Sequence, residues 1–307
     1  MEMNEKSTIS LRTTSLKKRK MRERITAYSF IAPNFIGFAI FTLGPIFFAI
    51  VLAFHEWDGS NAMSFVGFDN FSRMFDDARV HAALWNTIVY VLATVPLTLA
   101  CALLLAILLN SKIKGRNIFR TIAFFPYVAS LVAVAAVWNM IFHPVNGPIN
   151  EVLRSFGLLN PPRWAADSDW AMFTLVLFSV WKQMGYYMII FLAGLQGVSE
   201  ELYEAANLDG AGKWRKFWHV TLPQLRPVTF FVLMILTINS FKVYDFVYMI
   251  TQAGPGNSTL VLVYEIYNTA FLNWNLGYSS AISMLLLGLV IVVTLVQFMG
   301  EKKFTNQ

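Results

Sequence analysis

Six stretches of this chain, approximately 29–54, 84–110, 119–142, 169–195, 228–251 and 277–299, are nearly unbroken runs of apolar residues. A hydrocarbon core about 30 Å thick takes some 20 such residues per helix, so each run is long enough to cross a bilayer. Lipid tails offer backbone N–H and C=O groups no hydrogen bonds, which restricts a chain with repeated runs of this length to a bundle of helices. Composition agrees: 56% of the 307 residues are hydrophobic and 14% charged, against about 25% charged in soluble domains. The expected fold class is an all-α membrane protein with six transmembrane helices.

Basic residues orient such a bundle, because cytoplasmic loops retain Lys and Arg. The tail 1–26, the 111–120 loop, the 196–227 insert and the C-terminal tail together carry eighteen, while the alternate loops hold only Arg73, Arg79, Arg154 and Arg163. Both termini and the insert are therefore expected in the cytoplasm. The expected organisation is a basic cytoplasmic tail over 1–26, a six-span domain over 27–300 and a short tail over 301–307. Lys17 to Arg24 look like a signal-peptide head, but the following apolar run is longer than a secretory one and lacks a small-residue cleavage site. It reads as a retained anchor.

Other classes fall away on residue content. The net charge of +6 follows membrane topology and forms no basic face interleaved with aromatics, so nucleic acid is not an expected partner. Cys101 is the single cysteine and reads as a small buried hydrophobe. His55, His81, His143 and His219 have no metal-ligand spacing, and no segment arranges a nucleophile with a base. Trp57, Trp85, Trp164, Trp170 and Trp274 lie near loop edges and read as an interfacial aromatic belt.

The insert between the fourth and fifth runs is polar and helix-prone. Ser199 is placed to cap a helix whose first turn holds Glu200 and Glu201, where acids suit the helix dipole. Gly210 and Gly212 flank Ala211, giving freedom for a sharp turn. A second amphipathic stretch runs from Lys213 to Val220 and is expected to end at Leu222-Pro223. Two short helices meeting at a glycine corner are the expected product.

Glu204-Ala205-Ala206, Asp209-Gly210-Ala211 and Leu222-Pro223 occur in the order seen in permease subunits of binding-protein-dependent ABC importers, which this chain resembles over about 65–299. Gly67-Phe68-Asp69-Asn70-Phe71, Asn86-Thr87, Phe191-Leu192-Ala193-Gly194-Leu195-Gln196, Thr251-Gln252-Ala253-Gly254-Pro255 and Gly277-Tyr278-Ser279-Ser280-Ala281 resemble further segments of the carbohydrate branch. That branch includes the maltose, multiple-sugar, lactose and raffinose-type permeases. The resemblance implies a type I importer permease architecture in a bacterial or archaeal plasma membrane. It implies docking of an ATPase on the 196–226 loop through those eight residues. It further implies as partners a second homologous permease chain, an ABC ATPase dimer, an extracytoplasmic solute-binding protein and a sugar. This chain has no G-x-x-x-x-G-K-[ST] phosphate loop, so no cofactor is expected on it, and ATP and Mg would be bound by the ATPase.

Ionisable residues inside spans are costly and usually face a cavity. Lys182, near the middle of its run, shares a helix face with Tyr186. Asn239, Lys242 and Asp245 follow one another at i+3, with Ser240 and Tyr244 broadening the stripe. With Gln183, these residues can line a polar passage; the resemblance places the substrate site at Gln183, Tyr186, Asn239 and Ser240. Pairing of Lys182 or Lys242 with Asp245 to hold helices together is equally compatible with the sequence. The reading is an importer permease, not an enzyme, for an oligosaccharide such as a di- or trisaccharide. The alternatives are glycerol phosphate or another polar solute, or a secondary carrier half driven by an ion through Asp245. Two lysines against one aspartate leave a phosphorylated substrate open.

Overall fold

The computed structural model describes residues 2–111 and 113–305. The chain divides into two compact units, Met1–Leu52 and Ala53–Gln307. In the first, helix α1 (Glu2–Phe38) passes through a π-helical turn (Ala39–Leu43) into α2 (Gly44–Leu52). The basic segment and the first apolar run thus share a helical path.

The second unit opens with a two-residue ribbon, β1 (His55–Glu56) antiparallel to β2 (Ser64–Phe65), followed by α3 (Asp69–Asp76). Next come α4 (Ala78–Asn110), α5 (Arg116–Val128), α6 (Leu131–Ile141), α7 (Pro148–Ser155) and α8 (Ser168–Gln196). The insert forms α9 (Glu200–Leu208), α10 (Lys213–Lys216), a π-helical turn (Phe217–Thr221) and α11 (Leu222–Gln224). The chain ends with α12 (Arg226–Phe241), α13 (Asp245–Ile250), α14 (Leu262–Tyr267), a π-helical turn (Asn268–Leu272) and α15 (Leu276–Thr305).

Among the described residues, four segments are long and apolar enough to cross a membrane unaided: Lys20–Leu52, Ala78–Asn110, Ser168–Gln196 and Leu276–Glu301. The count reaches six if each of two bent helix pairs is one span. The third run, expected as one helix over 119–142, is α5 and α6 bent by 99°. The fifth, expected over 228–251, is helical only to Phe241, and α13 restarts at Asp245. Apolar content measures compatibility with lipid and carries no information about such breaks.

The core lies where α4 and α8 pack along their lengths, with α5 against α8 and α12 against α4. Tyr90, Leu175, Phe178, Tyr187, Met188, Phe191 and Leu236 are buried there. Gly185 permits the α5–α8 approach, since a Cβ at that position would overlap the Ala123 carbonyl. Trp164 departs from its expected place in an aromatic belt. It is buried, donates its indole N–H to Asn150 Oδ1 at 2.7 Å, and packs edge-on against Phe142 and Trp170. A buried Trp needs such an acceptor for its one donor. Trp85 and Trp274 are exposed.

Candidate functional site

The insert folds as two helical pieces around a corner. Ser199 Oγ accepts from the Glu201 N–H at 3.3 Å, capping α9. At the other end the Gly210 N–H bonds to the Asn207 carbonyl at 3.0 Å and the Ala211 N–H to the Ala206 carbonyl at 2.9 Å. This pair of bonds is the Schellman arrangement, which needs a left-handed residue; Gly210, at φ +71°, supplies it. Gly212 is extended at φ −67° and does not share in the turn, contrary to the expectation of a paired-glycine corner.

The corner is tied back to the second piece. Lys216 Nζ donates to Asn207 Oδ1 at 2.7 Å, and the hydroxyls of Tyr203 and Thr221 lie 3.0 Å apart. Glu204, Ala205, Asp209 and Gly210 are exposed, with Ala206 and Ala211 half-buried. Leu208, on the same helix, is 90% exposed. Leu222 and Pro223 are half-buried and, unlike the expectation, do not stop the helical run. It continues to Gln224 and then bends by 66° into α12. Pro223 lies within that run, just after the π-helical turn Phe217–Thr221, where its missing N–H withdraws one donor from the helical ladder.

Five of the eight expected passage residues share one cavity, and the other three lie apart from it. Gln183 of α8, Asn239 of α12, and Lys242, Tyr244 and Asp245 from the break before α13 line one cavity of about 170 Å³, together with Tyr90. The helical stripe from Asn239 to Asp245 does not exist, because α12 ends at Phe241. The break itself brings Lys242 and Asp245 to the cavity. Asn239 also donates to the Tyr187 hydroxyl at 3.4 Å. Tyr244 begins an aromatic wall, its ring 5.0 Å from Tyr267, 5.6 Å from Tyr264 and 5.7 Å from Tyr248.

Tyr186 stacks on Tyr127 at 4.5 Å with the rings within 16° of parallel. Ser240 is buried, and its hydroxyl has no protein partner. Lys182 has the most distinct environment. It is buried, and its ammonium donates to the carbonyls of Pro126, of Tyr127 at 3.2 Å and of Ala129 at 2.8 Å. These carbonyls close the C-terminus of α5, where intrahelical donors run out and the dipole favours a cation. Neither lysine makes an ion pair with Asp245.

Other contacts were not anticipated. Glu265 of α14 is buried and takes a two-pronged bond from Arg79, with Nη2–Oε2 at 2.8 Å and Nε–Oε1 at 3.1 Å. Asn86 Nδ2 donates to the Asn257 and Leu260 carbonyls, and Thr87 Oγ1 accepts from the Leu262 N–H. Asn70 Nδ2 likewise holds the Ala53 and His55 carbonyls at 3.0 Å each. The short motifs around Asn70 and Asn86 thus staple loops to helices. A lone acid within the apolar segment 260–267 was the available signal for Glu265, which lies outside the six runs.

Broken helices around a polar cavity, with a stiff polar corner projecting between two long helices, define a membrane permease. The fold matches that of a bacterial ABC transporter involved in the import of the acidic polysaccharide alginate, with a TM-score of 0.82 at 22% identity, covering 93% of this chain and 98% of that one. The family of binding-protein-dependent transport system inner membrane components matches residues 98–306, and this chain belongs to it. It is 37% identical to the arabinooligosaccharides transport system permease protein AraP of Bacillus subtilis (strain 168), over 93% of this chain and 91% of that protein. It is 34% identical to the sn-glycerol-3-phosphate transport system permease protein UgpA of Agrobacterium fabrum, over 91% and 96%. The chain is a membrane-embedded permease subunit of an ABC importer, as its insert led one to expect.

Proposed function

We propose that this subunit forms half of a passage for a neutral oligosaccharide, with the cavity beside Gln183, Asn239, Lys242, Tyr244 and Asp245 as its substrate-contacting part. The observation that carries this reading is the charge of that cavity: one ammonium, one carboxylate, an amide from each of two helices and two phenols. Hydroxyl-rich rings are bound by such mixed donors and acceptors, while tyrosine faces take their C–H surfaces. A phosphate ester would call for uncompensated positive charge. Lys182 cannot supply it, since its ammonium is engaged by the end of α5, and Asp245 balances Lys242. The likeness to an arabinooligosaccharide permease supports the sugar reading.

In this reading α5 with α6 is the third of six spans and α12 with α13 the fifth, and both termini lie in the cytoplasm with the insert. A separate ATPase dimer, holding ATP and Mg, grips the corner formed by Glu204, Ala205, Ala206, Asp209, Gly210 and Ala211. Leu222 and Pro223 pass its motion to α12. A solute-binding protein delivers sugar from outside, and a second permease chain completes the passage. The test is ATP-dependent uptake into proteoliposomes containing the whole importer. A labelled trisaccharide should accumulate, and sn-glycerol 3-phosphate should neither accumulate nor compete. Uptake of the phosphate ester alone would refute the neutral-sugar reading.

A further inference from the structure

The second half of the insert is left over by the coupling residues. From Lys213 to His219 it reads Lys-Trp-Arg-Lys-Phe-Trp-His, with no acid. Trp214 and Trp218 are 74% and 54% exposed, and tryptophans of this kind favour the lipid headgroup level. A cavity of about 340 Å³ lies between this half, the end of α4 and the end of α8. Its lining includes apolar Ile107, Leu195 and Phe217, the mutually bonded hydroxyls of Tyr203 and Thr221, and polar Asn110, Ser111 and the two lysines 213 and 216. Lys216 spends one N–H on Asn207, leaving two for another acceptor. Beside Ile107 on α4, Leu104 and Leu108 are 61% and 58% exposed, so an apolar track leads away from the cavity along a membrane helix.

We propose that this cavity binds the headgroup of an anionic phospholipid, with its acyl chains lying along α4. The two ammonium groups meet the phosphate, Asn110 and Ser111 meet headgroup hydroxyls or ester oxygens, and Leu104 and Leu108 meet the chains. A zwitterionic lipid has no net charge for the lysines, and a free phosphate has nothing to place on the leucines. The orientation proposed above would put this lipid in the cytoplasmic leaflet; binding itself does not depend on it.

The test is made on the assembled importer in nanodiscs of mixed phosphatidylglycerol and phosphatidylcholine, with retained lipid counted by native mass spectrometry. The wild type should retain phosphatidylglycerol in preference to phosphatidylcholine. Lys213→Gln should lower that preference about fivefold, the loss expected for one basic residue at an anionic surface. Lys213→Arg should keep it, as should Arg163→Gln in the loop before α8. Retention of phosphatidylglycerol by Lys213→Gln at the wild-type level would overturn the site. So would an absence of preference in the wild type, which would assign this face to a partner chain, or displacement of the lipid by excess inorganic phosphate, which would make it a free-anion site.

Discussion

The Lys182 ammonium lies 2.8 Å from the carbonyl oxygen of Ala129, the residue that caps the C-terminus of α5. A helix broken within a membrane exposes carbonyls that water cannot reach, and each must be satisfied by protein. One lysine, reaching across from α8, satisfies three of them. Lys182→Met should remove those donors and destabilise the importer by about 1–3 kcal/mol, the usual cost of stranding buried polar groups. Lys182→Arg keeps donors at the same place and should restore most of the loss. Thermal unfolding of the detergent-purified complex, followed by fluorescence-detected size exclusion, reads both. Equal melting of wild type and Lys182→Met would remove the capping role.

Gly185 stands one turn further along α8, where the Ala123 carbonyl of α5 occupies the space of a side chain. Gly185→Ala should therefore push the two helices apart and cost about 1–3 kcal/mol, in the range of overpacked cores. The same melting experiment measures it. Gly288→Ala is the control, because a Cβ at Gly288 meets nothing within 4 Å.

The two glycines of the insert make a sharper comparison. Gly210 lies at φ +71° and Gly212 in an ordinary extended conformation with open space around it. Gly210→Ala should strain the corner by about 1 kcal/mol or more, lowering ATP-coupled uptake while leaving membrane insertion intact. Gly212→Ala should leave uptake near the wild-type rate. If both variants transport alike, the shape of the corner does not matter for coupling.

These comparisons show what the chain's sequence discloses and what it hides. Capping by Ser199, a glycine corner and the two helical halves of the insert are local features, governed by residues a few positions apart, whereas which of the two glycines is left-handed was not legible. Gln183, Asn239, Lys242, Tyr244 and Asp245 were recognisable because polar groups stand out in apolar runs. The breaks after Val128 and Phe241 were not, because apolar content is blind to interruptions of a helix. The true partners of Lys182 lie more than fifty positions away, and those of Arg79 nearly two hundred. Spacing along a helix cannot find contacts of that kind. Trp164 failed for the same reason, its acceptor being set by the fold of α7.

Arg79 and Glu265 join α4 to α14 through a pair that is half exposed on one side and buried on the other. Arg79→Met strands a buried carboxylate and should cost about 2–3 kcal/mol, below the loss for fully buried pairs because the guanidinium is half in solvent. Adding Glu265→Gln to it should recover part of the loss. A double variant no more stable than Arg79→Met would show that the carboxylate is not the source of the cost.

Asp77 caps α4, accepting from the N–H groups of Arg79 and Val80 and from the Tyr278 hydroxyl at 2.8 Å. Burial alone would raise its carboxyl pKa, but the Tyr278 hydroxyl, the two backbone N–H groups and nearby Arg73 outweigh it and hold the pKa below the ordinary 3.8. A lowered pKa stabilises the folded state above the ordinary value, and that contribution is lost as pH falls through the folded one. Melting temperature should therefore drop as pH falls below about 5 and on through the folded value, and Asp77→Asn should flatten this part of the profile. An unchanged acid limb in Asp77→Asn would assign the drop to other carboxylates.

The cavity before α13 gives the most direct check on substrate class. Lys242 and Asp245 balance each other there, beside the amides of Gln183 and Asn239. Asp245→Asn leaves one positive charge and should improve inhibition of uptake by an acidic disaccharide about tenfold relative to a neutral one. Lys242→Met leaves one negative charge and should move the ratio the opposite way. Gln183→Leu and Asn239→Leu remove hydrogen-bonding groups without changing charge, so they should weaken neutral-sugar uptake while leaving the ratio near its wild-type value. The pattern separates a charge-balanced passage from a packing site. A polar core serving only to hold helices would lower the maximal rate in all four variants and leave the acid-to-neutral ratio untouched.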